Sequence, residues 1–176
     1  MKVGWFRLAI IVATMTMGTL AAVQAQPASP KTVSGLPIPR FVSLKADRVN
    51  VRAGPTKDND VTWVYSRGGL PVEITAEFEN WRRIRDWEGA EGWVYHSMLS
   101  GRRTATVTPR DKNKDELLSL YDQPDPQSAT LARLQVGVLG LVKRCTGTWC
   151  RIVGNGFDGW IQQERLWGVY PNEKLD

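Results

Sequence analysis

Few residues in this sequence can do chemistry. Cys145 and Cys150, the only cysteines in 176 residues, stand in RCTGTWCRI. Two thiols at this spacing suit a redox couple, half of a metal site, or a disulfide. A structural zinc site takes four Cys or His ligands, and the chain adds only His96. No metal site and no cofactor are therefore expected. A redox couple is more typically C-x-x-C at a helix start, whereas C-T-G-T-W-C has a turn-like centre between strand formers. A disulfide across a hairpin fits better, because residues facing each other over a four-residue loop can bring their Cα atoms to about 5.5 Å. So short a loop stabilises by only about 2 kcal/mol in the chain-entropy model.

Catalytic groupings are weak. A papain-like nucleophile needs Cys beside His, and an oxidised pair leaves no thiolate. Glu77, Glu79, Asp86, Glu88 and Glu91 crowd one segment but interleave with Arg82, Arg83 and Arg85, the pattern of a solvated hairpin rather than an acid/base pair. Gly68-Gly69 lacks the lysine and following helix of a phosphate loop. The expectation is a protein that binds and is not an enzyme. In NWRRIR, strand alternation sets Trp81, Arg83 and Arg85 on one face and Arg82 and Ile84 on the other. With Ile84 inward, an outward indole beside two guanidinium groups can stack on a peptide or sugar ring and pair with carboxylates. Trp63, Tyr65 and Tyr95 extend that surface; the competing reading is that these aromatics cap a small core.

The elements that position these residues depend first on compartment. Residues 1–25 carry Lys2 and Arg7, an apolar run and a small-residue exit, the layout of a cleavable secretory signal peptide. An uncleaved anchor needs about 20 apolar residues, and Thr14, Thr16 and Thr19 dilute the run. Cleavage, with no membrane insertion afterwards, places the chain in an oxidising compartment that permits disulfides, the periplasm or cell envelope. The 23 basic and 18 acidic side chains leave a net charge of +3 once Lys2 and Arg7 are removed. That does not mark a nucleic-acid binder.

A repeat organises the rest. Trp81 and Ile84 match Trp149 and Ile152 at an offset of 68, and Gly92-Trp93 matches Gly159-Trp160 at 67. Upstream, NVRAGP at 50–55 lies opposite SLYDQP at 119–124, and GLPVEI at 69–74 opposite GVLGLV at 137–142. Four matches in order point to duplication. Short strands are expected at 41–46, 49–52, 62–65, 72–76, 81–85 and 92–95, then at 117–121, 130–134, 138–143, 149–153 and 156–161, with turn residues between them and no long helix. The reading is all-β: two tandem small barrels at 41–101 and 117–170. A Pro-rich flexible tether at 26–40 and a charged linker at 102–116 flank the first, although 105–107 can itself form a strand.

The order of strand, R-A-G-P turn, G-L-P-V-E-I strand, N-W-R-R-I-R hairpin and E-G-W-V strand resembles bacterial SH3-like domains. The second copy, ending in GWIQQERLWGVYP, resembles a diverged partner in exported two-domain members of that family. The resemblance implies small antiparallel barrels in the cell envelope. Related domains are commonly attached to cell-wall enzymes, where they bind peptidoglycan or position the enzyme. The second copy has Y-D-Q-P for R-A-G-P, so a ligand contact made by that turn is expected in the first copy alone. The implied partner is peptidoglycan or its stem peptides; the rival is an extended segment of an envelope protein. The repeat also bears on the cysteines, whose positions minus 68 are Glu77 and Arg82. A cross-strand ion pair is expected where the other copy carries a disulfide, and an exposed pair of this kind contributes only about 0 to 1 kcal/mol.

Overall fold

The computed structural model describes residues 32–111 and 113–176, so the expected signal peptide at 1–25 and the start of the expected tether, 26–31, lie outside the described residues. Strand formation follows sequence alternation. β2 (Val49–Arg52) buries both valines and exposes Asn50; β5 (Trp81–Arg85) buries Ile84 between exposed Arg83 and Arg85; β6 (Glu91–Tyr95) buries Gly92 and Val94. With β1 (Arg40–Leu44), β3 (Val61–Tyr65), β4 (Pro71–Phe78) and β7 (Leu99–Ser100) they form one antiparallel sheet, ordered β3-β2-β6-β5-β4-β1-β7.

The second sheet contains β8 (Thr104–Val107), β9 (Leu117–Tyr121), β10 (Thr130–Gln135), β11 (Leu139–Thr146), β12 (Trp149–Gly154), β13 (Phe157–Gln162) and β14 (Leu166–Trp167). Its order is β10-β9-β13-β12-β11-β8-β14, with β15 (Lys174–Leu175) beside β11. Strand for strand, this repeats the first sheet. Gly69 and Gly137 both have positive φ, and their N–H groups donate to Leu44 O and Val107 O, each at 2.8 Å. Arg52 pairs with Trp93 as Tyr121 pairs with Trp160. A short 3₁₀ turn follows β6 and another follows β13. Each sheet closes over its own core, one built on Val49, Val51, Ile74 and Ile84, the other on Leu120, Cys150, Ile152 and Ile161. The chain is all-β with two tandem small barrel-like units, as the sequence implied.

Three boundaries shift. β8, the strand foreseen at 105–107 inside the expected linker at 102–116, belongs to the second sheet, paired with β11 and β14. All four of its residues are buried, so it shows no alternation, and Thr104 Oγ1 donates to Gly69 O of the first unit at 2.6 Å. The second unit also extends past residue 170 to β15. Residues 32–40, assigned to the tether, are bound to the first sheet: the Ser34 N–H and Oγ donate to Glu77 at 2.8 and 2.6 Å. Composition near the prolines hid a carboxylate partner 43 residues away.

The two units also touch. Phe41 meets Trp167 edge-on at 5.0 Å and Tyr170 at 4.6 Å, and the Tyr170 hydroxyl donates to buried Glu73 Oε1 at 2.9 Å.

Candidate functional site

The repeat equivalence is realised in the hairpins. Cys145 and Cys150 are directly paired between β11 and β12, are disulfide-bonded, and have Cα atoms 4.1 Å apart. Thr146 and Trp149 continue the strands, so the turn is Gly147-Thr148, tighter than the four-residue loop expected. Glu77 pairs with Arg82 in the same register of β4 and β5, with 3.2 Å between Oε1 and Nε. The ion pair is not exposed: the Glu77 side chain is only 1% accessible, because Arg40 and Ser34 close over it. Burial alone would raise the Glu77 pKa. Hydrogen bonds from Ser34 and Arg40 and the charge of Arg82 outweigh it and lower the value to about 2.

The expected ligand residues separate into several environments. Trp81 is 8% accessible and packs edge-on against Tyr95 at 5.4 Å, so it does not face outward with the arginines. Arg83 and Arg85 do face out, but each has a carboxylate: Arg83 contacts Glu91 at 2.6 Å, and Arg85 Nε donates to Glu73 at 3.1 Å. Trp63 and Tyr65 meet edge-on at 6.1 Å on β3, and the Tyr65 hydroxyl donates to Asp86 at 2.8 Å. Burial and that hydrogen bond push the Tyr65 pKa up. The clustered acids are also engaged: Asp86 holds its own turn, and Glu88 pairs with Lys114.

A cleft of about 320 Å³ opens beside Trp81 and Tyr95, lined also by Arg48, Asn50, Arg52, Lys57 and Met98. β2 builds it: with Val49 and Val51 inward, Asn50 and Arg52 point the other way. Arg52 is steadied by donating to Asn59 O at 2.6 Å. Among the described residues no carboxylate pairs with Arg48, Arg52 or Lys57, in contrast to Arg83 and Arg85. The alternation of VNVR, read beside the R-A-G-P turn, could have revealed these cations.

The second unit repeats the cleft in altered form, at about 150 Å³. At the repeat offset of 69, Arg48, Arg52 and Lys57 become Leu117, Tyr121 and Pro126. The cation lining it, Arg165, lies 2.6 Å from Glu116, whose pKa that contact lowers. Tyr121 instead packs edge-on with Trp149 at 5.5 Å. Positive charge without a partner among the described residues thus distinguishes the first cleft.

Two small antiparallel barrel-like units, each with a cleft between the turn after its second strand and the face of its central hairpin, define a tandem small-barrel architecture. The model of the family "Bacterial SH3 domain" matches residues 45–101 and 114–168, more than half of the chain, which belongs to that family. No curated protein matches the chain. Among solved structures, NlpC2 from Trichomonas vaginalis is similar at 15% identity and a TM-score of 0.33, covering 73% of this chain and 48% of its own. NlpC1 from Trichomonas vaginalis shows 11% identity and a TM-score of 0.33, covering 84% and 50%. The endolysin LysPBC5 CBD shows 17% identity and a TM-score of 0.29, covering 72% and 90%. The chain spans about half the length of the two NlpC proteins.

Proposed function

We propose that this protein is a non-catalytic adaptor of the cell envelope that binds peptidoglycan stem peptides in the cleft of its first unit. Membership of the bacterial SH3 family supports an envelope-binding role, and the expected signal peptide supports export. One observation carries the reading: three cations that have no carboxylate partner among the described residues surround an aromatic pair, and the duplicate cleft has lost all three. Such a site suits an extended ligand bearing carboxylates, which stem peptides are. Trp81 and Tyr95 supply an apolar wall, while Arg48, Arg52 and Lys57 take the negative groups.

Co-sedimentation of the purified protein with peptidoglycan sacculi at low and moderate salt tests this. An Arg52→Ala, Lys57→Ala variant should bind about tenfold more weakly or worse, the scale of a lost charge-assisted contact. Arg83→Ala, whose guanidinium already has Glu91, should leave retention nearly unchanged. Equal retention by the first variant and the parent would remove the cleft from the site.

A second reading, docking of an extended segment from an envelope protein, is favoured by β3. It lies at a sheet edge and exposes Val61 and Val64. Strand addition there would appear as crosslinks from β3 to a partner and would not depend on Arg52.

A further inference from the structure

We infer that the groove between the two units is a second ligand site, suited to an uncharged, N-acetylated sugar, and independent of the charged cleft. The groove encloses about 710 Å³, within the usual range for small-ligand sites, and lies at a junction of structural units where such sites concentrate. Phe41 from the first unit and Trp149, Trp167 and Tyr170 from the second supply aromatic surface. Its charges are matched within the protein. Glu73 is held by Arg85 and by the Tyr170 hydroxyl, and Glu164 lies 2.8 Å from Arg110. A charged ligand would meet no free opposite charge, unlike in the first cleft.

Neutral hydrogen-bonding capacity remains. Thr148, Gln162 and Asn172 line the groove, and their side chains make no hydrogen bond among the described residues, although each has accessible surface. Among the described residues, Trp167 Nε1 and Gln163 Oε1 are buried without a partner, a donor and an acceptor on two lining residues. An unmatched buried group costs about 1–3 kcal/mol. A pyranose presents C–H faces to aromatic rings and hydroxyls to amides, and an acetamido group offers one N–H, one C=O and a methyl. That inventory matches aromatic walls with free neutral donors and acceptors. A peptide that added a strand would need a free sheet edge, and among the strands in the groove lining the one at a sheet edge, β14, has only two residues.

The test is an NMR titration of the 15N-labelled protein with triacetylchitotriose, following the indole N–H signals. Saturable shifts of the Trp167 and Trp149 signals, with that of Trp81 unmoved, are expected. Gln162→Ala combined with Asn172→Ala should weaken the sugar about fivefold, the scale of one lost neutral hydrogen bond, with an unchanged melting curve. Trp167→Phe keeps a ring against Phe41 and should lower affinity similarly. The inference is overturned if no indole shifts at millimolar sugar, if only Trp81 responds, if maltotriose, which lacks acetamido groups, gives the same shifts and affinity, or if a stem peptide alone moves Trp167. Failure here leaves the sacculus experiment untouched, because that experiment reads Arg52 and Lys57, which line a separate cleft.

Discussion

At the scale of single residues, Glu77 shows how one position can change its chemistry between duplicated copies. It occupies the place of Cys145, and its ion pair with Arg82 stands where the second copy has a covalent bond. Because its folded pKa lies near 2, below the usual 4.5, its contribution to stability is fully present above about pH 4.5 and is lost as pH falls toward 2. The shift corresponds to about 3 kcal/mol. Acid titration of thermal stability should therefore show a loss below pH 4.5 that is flattened in Glu77→Gln. Glu77→Ala at neutral pH should cost about 3 kcal/mol, because it leaves Arg82 buried without its partner. An acid profile identical in Glu77→Gln would remove Glu77 as the source.

At the scale of elements, strand existence was legible because the apolar positions alternate cleanly in β2, β5 and β6, and the duplicate confirmed the pattern. Trp-x-x-Ile and Gly-Trp proved to mark the central hairpin and the strand beside it. β8 was less legible. Its Thr-Ala-Thr-Val suggested a strand at 105–107, but its place in the second sheet was hidden, because its equivalence to β1 runs at an offset of 63 instead of 68, as the Leu44 and Val107 hydrogen bonds show. The site was half legible. Arg83 and Arg85 were visible as charges, but their carboxylate partners depend on strand pairing: Glu73 lies directly opposite Arg85, whereas Glu91, opposite Arg85 on its other side, reaches diagonally to Arg83. Gly92 explains its own recurrence as Gly159: a Cβ there would lie 2.4 Å from Val51 Cγ1 and 3.1 Å from the Trp63 ring. Gly92→Ala should destabilise the protein by about 1–3 kcal/mol through overpacking, measured by chemical denaturation. Replacing Cys145 and Cys150 together by serine should cost about 2 kcal/mol and leave sacculus retention unchanged, since the disulfide lies in the unit whose cleft lacks free cations. A large binding loss in that still-folded variant would bring the second hairpin into the site.

At the scale of the whole molecule, the units are joined by packing and by a polar latch. Phe41, from the first strand, contacts Trp167 and Tyr170, and Arg85 lies 6.0 Å over the Trp167 ring. Glu73 sits at the centre, accepting from Tyr170 on one unit and Arg85 on its own. None of this follows from either repeat alone, because the latch residues are not repeated in the other copy: Glu73 lies opposite Leu141 and Arg85 opposite Val153. Burial first, then the hydrogen bond and charge of Glu73, raise the Tyr170 pKa. A group with a raised folded pKa contributes its stability below its unfolded value, about 10, and loses it as pH rises toward the folded value. The contact should therefore hold at neutral pH and weaken in alkali. Tyr170→Phe keeps the ring against Phe41 but leaves Glu73 Oε1 without its donor, so it should cost about 1–3 kcal/mol at pH 7 and reduce the loss above pH 10. Calorimetry distinguishes the latch from a passive contact: one cooperative transition in the parent should broaden or split in Tyr170→Phe. A single unchanged transition and an unchanged alkaline limb would mean that the units are coupled through Thr104 and the β8 backbone instead.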